Sequence, residues 1–226
     1  MRFENFFVLA MVGTSFASQD IPIPSKIEGV HLGRRNSSFV IEAHLDLLCP
    51  GSQQTFFTLI DVIKDFQLLE ENFLFSIHIF PLPYHTHSFK LSIVEKYIQN
   101  NQGEEQALYY IRKVFENQDA YSNYNLSNLT NYQINNLISK DIEGWFNKTI
   151  SQEDILNALG NGTYDSDARI SWKFGCQRSV AGTPTVFVNG IRLNDSWEWN
   201  YDVWVQFLQN YFPMKRKVTI EVNKNK

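Results

Sequence analysis

The chain has 226 residues, 43% of them hydrophobic, and 20 Lys and Arg against 24 Asp and Glu give a formal net charge of −4. That balance argues against a nucleic-acid binder, which needs a basic face, and the length suits one domain with a real core or one domain carrying a large insertion. Two cysteines are too few for a disulfide-stapled scaffold, so the core must hold the fold.

Arg2 precedes an apolar run from Phe6 to Val12, with small residues at Ser15 and Ala17. Although Glu4 offsets Arg2, residues 1–17 read as a secretory signal peptide cut near Ala17; the competing reading is an ordinary N-terminal strand. The run is too short to span a bilayer, and no later stretch is long enough. Asn-x-Ser/Thr triplets begin at Asn36, Asn125, Asn128, Asn147, Asn161 and Asn194, which makes these the expected glycosylation sites. Asn125 and Asn128 are too close together for both to be occupied. The chain does not end in a Lys/His-Asp-Glu-Leu retrieval signal, so the expected location is the secretory pathway: secreted, or in the endoplasmic reticulum lumen without a retention signal.

Residues 39–48 form an apolar run that ends at Cys49 and reads as a strand. Phe56, Leu59, Ile60, Ile63 and Phe66 recur at helical spacing, giving a helix from Gly51 to near Asn72. Leu74–Phe80 is a second strand, and strand, helix, strand at this length is a right-handed parallel crossover. After Pro81-Leu82-Pro83 the pattern turns helical. Leu91, Val94, Tyr97 and Ile98 mark one helix, Leu108, Ile111, Val114 and Phe115 a second, and Ile134, Leu137, Ile138, Ile142 and Trp145 a third. Ser151 caps a short helix with acidic residues in its first turn, and another helix runs from Ser166 to about Phe174. Thr185–Val188 is the third strand. The Asn189-Gly190 turn sends Ile191–Leu193 back as an antiparallel fourth, and a helix over 201–211 stops near Pro213. Lys215-Arg216-Lys217 belongs to a solvated basic tail, 213–226.

Two segments carry the chemistry: Cys49-Pro50-Gly51-Ser52 at a helix start, and Gly182-Thr183-Pro184-Thr185 opening a strand. Together with the helical block between them, about 88–175, they resemble the DsbA-like branch of the thioredoxin superfamily over residues 25–212. The resemblance implies an α/β thioredoxin-like fold, with the helices inserted between a β-α-β half and a half made of the cis-proline and hairpin. Glu42 and Asp46 match the acidic approach to the Cys-Pro of that branch. Phe80-Pro81-Leu82-Pro83-Tyr84-His85 is similar to the loop of secreted eukaryotic members that carry Cys-Pro-x-Ser. Ser52 stands where the branch has its second cysteine, so one thiol must do the work.

Cys49 at the helix start meets unpaired backbone N–H groups and the positive end of the helix dipole, both of which favour a thiolate. Pro50 fits the first turn because it lacks an N–H that would go unpaired there. Ser52 could hydrogen-bond the sulfur but cannot attack a mixed disulfide, so completing an exchange needs an external thiol or Cys176. Cys176 is either a loop thiol able to pair with Cys49 or an inert cysteine at a helix end. A cis Thr183–Pro184 bond would leave the Thr183 backbone open to an extended peptide, with Pro50, Gly51 and His85 completing the substrate contacts. His85 and His87 lie on the loop that opens at the same sheet edge as Cys49. A histidine there could stabilise the thiolate or simply sit at the surface, and His-x-His without suitably spaced carboxylates makes no metal site. Asp46 and Glu42 are either carboxylates that relay protons beneath the thiol or, since alternation puts Glu42, His44 and Asp46 on one strand face, members of a mutually hydrogen-bonded set. His31 and His78 also read as strand residues.

Three functions compete on these residues. One is single-thiol exchange on polypeptide thiols and disulfides, needing no cofactor and using glutathione as an alternative co-substrate. The others are a non-redox peptide-binding protein and a glutathione-handling enzyme like the kappa-class transferases.

Overall fold

The structure is a computed structural model that describes residues 22–24 and 26–212. The signal peptide expected at 1–17 and the basic tail 213–226 lie outside the described residues. Strands β1 (Val30–Gly33), β2 (Phe39–Leu45), β3 (Phe73–Ile79), β4 (Thr185–Val188) and β5 (Ile191–Arg192) form one sheet in the order β1-β3-β2-β4-β5. β2 and β3 run parallel, with Ile41 beside Phe75 and Ala43 beside Ile77, and the other pairings are antiparallel. Helices α1 (Pro50–Asp65), α2 (Ser88–Gln102), α3 (Glu104–Glu116), α4 (Asn131–Trp145), α5 (Gln152–Gly160), α6 (Gly162–Gln177) and α7 (Tyr201–Leu208) complete it. α2 to α6 are inserted between β3 and β4, so the chain has the thioredoxin-like fold with a helical insertion.

Alternation along the strands sends Ile41, Ala43 and Leu45 of β2, with Phe73, Phe75, Ile77 and Ile79 of β3, into the main core. Phe56, Leu59, Val62 and Ile63 of α1 join them, and α7 packs on α1 through Trp204 and Leu208. Each buried Val, Leu, Ile or Phe side chain among them contributes about 1.5–3 kcal/mol. The opposite face carries Glu42 and His44 of β2 and Ser76 and His78 of β3, and α6 covers it with Phe174 and Arg178.

The boundaries differ from the sequence expectation where side chains or backbone geometry intervene. β2 stops at Leu45 and not at Leu48, because the Asp46 carboxylate accepts the Leu48 N–H at 2.6 Å and turns the chain. The first helix ends at Asp65, well before Asn72. Gln67 then adopts a left-handed φ of 53° and a 3₁₀ turn follows over Leu68–Glu70. α6 starts four residues early because the Asn161 side chain caps the Thr163 N–H at 2.8 Å, and it runs on to Gln177. β1 is a fifth strand, and only His31 in it reads as a strand residue from the sequence. It is four residues long and bounded by Gly29 and Gly33, whose φ values of 105° and 109° let the backbone turn onto and off the sheet edge.

Candidate functional site

The carboxyl end of β2 delivers Cys49 to the N-terminus of α1. Cys49 is the N-cap residue with extended backbone, Pro50 is the first helical residue, and the Gln53 N–H bonds the Cys49 carbonyl at 3.1 Å. The half-buried Cys49 Sγ donates to the Thr183 carbonyl at 3.3 Å. The Thr183–Pro184 peptide bond is cis. Gly51 is where the two segments press together: a Cβ there would lie 3.1 Å from Pro184 Cδ and 3.8 Å from Cys49 Sγ. Cys49, Pro50, Gly51, Thr183 and Pro184 therefore converge at one spot.

Ser52 does something other than expected. It is fully buried, and its hydroxyl accepts the Asp46 N–H at 3.1 Å. The sulfur's partner is the Thr183 carbonyl, so Ser52 holds the turn that carries Cys49 without bonding its thiol.

Asp46 is also fully buried and is the hub of the surrounding loops. Its carboxylate accepts the Leu48 N–H at 2.6 Å, the Leu82 N–H at 2.5 Å and the Ser88 hydroxyl at 2.9 Å. His85 Nδ1 stands 3.1 Å from Oδ1 of the same carboxylate. This overturns the mutually bonded set of Glu42, His44 and Asp46, because Asp46 lies past the end of β2 and faces the loop and α2. Glu42 instead pairs through both oxygens with the Arg178 guanidinium of α6 and approaches His78. Burial alone would raise the Glu42 carboxyl, but hydrogen bonds from His78 and Arg178 and their charges bring it down to about 2. His44 is stacked on His78 at 4.7 Å, and burial, with the charges of His78 and Arg178, drives its imidazole down to about 3.

Cys176 lies near the end of α6, exposed, and both cysteines are free thiols, so the alternative of a Cys49–Cys176 disulfide is not what the structure holds. Although the residue is exposed, partial desolvation of its sulfur pushes the Cys176 thiol up, against a smaller opposing backbone hydrogen bond. His87 precedes α2, and burial followed by the Lys90 charge lowers its imidazole. Among the described residues no group of three His, Cys, Asp or Glu is placed to hold a metal, and no helix is long and apolar enough to cross a membrane. All six sequon asparagines are exposed.

Two clefts meet at His85, and the first is also lined by Leu48 and Pro50, the chain neighbours of Cys49. The first, about 690 Å³, has Leu48, Pro50, Gln53 and His85 on one wall and Glu116 to Ala120 with Ser122 to Tyr124 on the other. Its walls are tied together: Gln53 Nε2 donates to the Phe115 carbonyl at 2.5 Å, Gln118 Nε2 to the Leu47 carbonyl at 3.0 Å and Asn123 Nδ2 to the Tyr84 carbonyl at 2.7 Å. The second, about 380 Å³, is more apolar and is formed by Pro81, Leu82, Pro83, His85, Phe89 and Trp172 with Thr86 and Arg169. The far wall of the first cleft comes from the connection between α3 and α4. No local motif in the sequence marks it.

A family model described as Thioredoxin matches residues 25–210. The chain belongs to this thioredoxin family, and its fold is that of the DsbA-like branch. No curated protein matches the chain. Among solved structures it is similar to a putative protein-disulfide isomerase from Pseudomonas syringae, with a TM-score of 0.64 and 19% identity over 80% of this chain and 97% of that one. Oxidised BdbD from Bacillus subtilis gives 0.64 and 17% over 80% and 91%. Wolbachia pipientis alpha-DsbA1 gives 0.63 and 14% over 84% and 92%.

Proposed function

We propose that this protein is a single-thiol disulfide-exchange protein acting on polypeptides in the secretory pathway, with Cys49 as the nucleophile. The observation that carries the reading is the placement of Cys49 Sγ at the start of α1, 3.3 Å from the Thr183 carbonyl, between Leu48 and Pro50, which line a cleft. The Cys49 thiolate attacks one sulfur of a substrate disulfide and expels the other as a thiolate, leaving a mixed disulfide. Ser52 offers no second thiol, so an external thiol discharges the adduct; glutathione is one such co-substrate. Thr183 and Pro184 grip the extended substrate chain, and Gly51 keeps that approach open. The putative protein-disulfide isomerase among the structural neighbours and the sequons support this reading, as does the apolar run at the N-terminus.

The test is insulin reduction in a glutathione buffer by the wild type, Cys49→Ser and Ser52→Cys. Cys49→Ser should be inactive and Ser52→Cys should exceed the wild type, because a resolving thiol one helical turn on discharges the adduct internally. If the wild type equals Cys49→Ser and Ser52→Cys gains nothing, the clefts serve peptide binding without redox chemistry.

A further inference from the structure

His85 is the only imidazole among the described residues that line the two clefts, and it borders both. Its Nδ1 edge is buried and faces Asp46 Oδ1 at 3.1 Å, off the axis that a hydrogen bond needs. Its side chain keeps 21% exposure, so the opposite edge, with Nε2, opens toward the clefts. The Tyr84 ring meets it edge-on at 5.0 Å. Asp46 cannot swing away, because its oxygens are already held by two backbone N–H groups and the Ser88 hydroxyl. The charged side chains lining the clefts are Glu116, Asp119 and Arg169. Glu116 is engaged by Arg112 and Lys113, and Arg169 by Asp165.

A site without a resolving cysteine has a particular need. The thiol that discharges the mixed disulfide arrives from solution, and it must lose its proton before its sulfur can attack. Imidazole is the side chain ordinarily suited to take that proton near neutral pH. We propose that His85 is the general base for this second half-reaction. This rests on the exchange reading above. The incoming thiol gives its proton to His85 Nε2, and its sulfur then attacks the substrate sulfur of the adduct. A new disulfide forms as the bond to Cys49 Sγ breaks. The electron pair returns to Cys49 Sγ, which is reduced while the incoming thiol is oxidised, and His85 passes its proton to the departing Sγ or to water.

The test uses the full chain with Cys176→Ser, converted to the Cys49–glutathione adduct with oxidised glutathione; discharge is followed by acid quench and intact mass. Mercaptoethanol, mostly protonated near neutral pH, should discharge His85→Gln at least about tenfold more slowly than the parent. 4-Mercaptobenzoate, largely ionised already, should discharge both at the same rate. Free imidazole should accelerate the mercaptoethanol reaction of His85→Gly and leave the parent unchanged. Equal slowing with both thiols, or no slowing with mercaptoethanol, overturns the base assignment while leaving the exchange reading intact. If no adduct forms on Cys49, both fall together.

Discussion

The pair of stacked imidazoles under α6 makes stability depend on pH in a way that a single substitution isolates. His44 is fully buried against His78, Phe174 and Phe187, and its imidazole titrates at about 3 in place of 6.5, chiefly because burial penalises the charged ring. Since the folded value is the lower one, the unfolded chain binds a proton between about 3 and 6.5 that the folded protein refuses. The stabilisation is therefore complete above 6.5 and is lost progressively as pH falls toward 3. At about pH 5 the loss is about 1.5 pK units, or about 2 kcal/mol. His44→Phe keeps an aromatic ring in the stack but removes the titration. It carries a fixed cost of about 1–3 kcal/mol, because Phe is larger and Gly175 of α6 presses close to Nδ1. Urea unfolding of both proteins near pH 7 and pH 5 separates the two effects. The wild type should lose about 2 kcal/mol more than His44→Phe on acidification, with His78, Glu95 and the other titrating groups common to both. Equal losses would refute the claim that a neutral buried His44 is part of the fold.

Three further outcomes follow from single contacts. Asp46→Ala removes the acceptor of two backbone N–H groups and one hydroxyl, so it should destabilise by about 3 kcal/mol or more in urea unfolding. Gly51→Ala sets a methyl group 3.1 Å from Pro184 Cδ; adduct formation with oxidised glutathione should slow severalfold while far-UV circular dichroism stays unchanged. In a secreting host, peptide mapping should find glycan on Asn128 in preference to Asn125, whose Nδ2 already donates to the Asp119 carbonyl at 2.8 Å and approaches its carboxylate at 3.3 Å.

What the sequence reveals and what it hides divide along physical lines. The Cys49-Pro50 helix start, the Thr183-Pro184 segment and the inserted helices are legible, because capping, proline constraints and the 3.6-residue period act over a few neighbouring residues. Of β1 only His31 is legible, because four residues that follow Gly29 and end on Gly33 form a strand only by pairing with β3, a partner some 40 residues away. The inward turn of the Ser52 hydroxyl depends on where the Asp46 N–H points once β2 has ended. Alternation places Asp46 with Glu42 and His44 only if the strand continues, and the Asp46 side chain itself breaks it. The cleft wall from Glu116 to Tyr124 faces Leu48 and Pro50 because α3 returns toward α1 through the Gln53 and Gln118 hydrogen bonds, a tertiary outcome with no local signature.

The central claim is that Cys49 is the reactive thiol of this chain, and peptide mapping of the wild type after brief exposure to oxidised glutathione tests it most directly. Cys49, seated at the start of α1 with its sulfur against the Thr183 carbonyl, should carry the glutathione adduct well before Cys176, whose thiol is pushed up by partial desolvation near the end of α6. An adduct that appears first on Cys176, or on neither cysteine, would contradict the account.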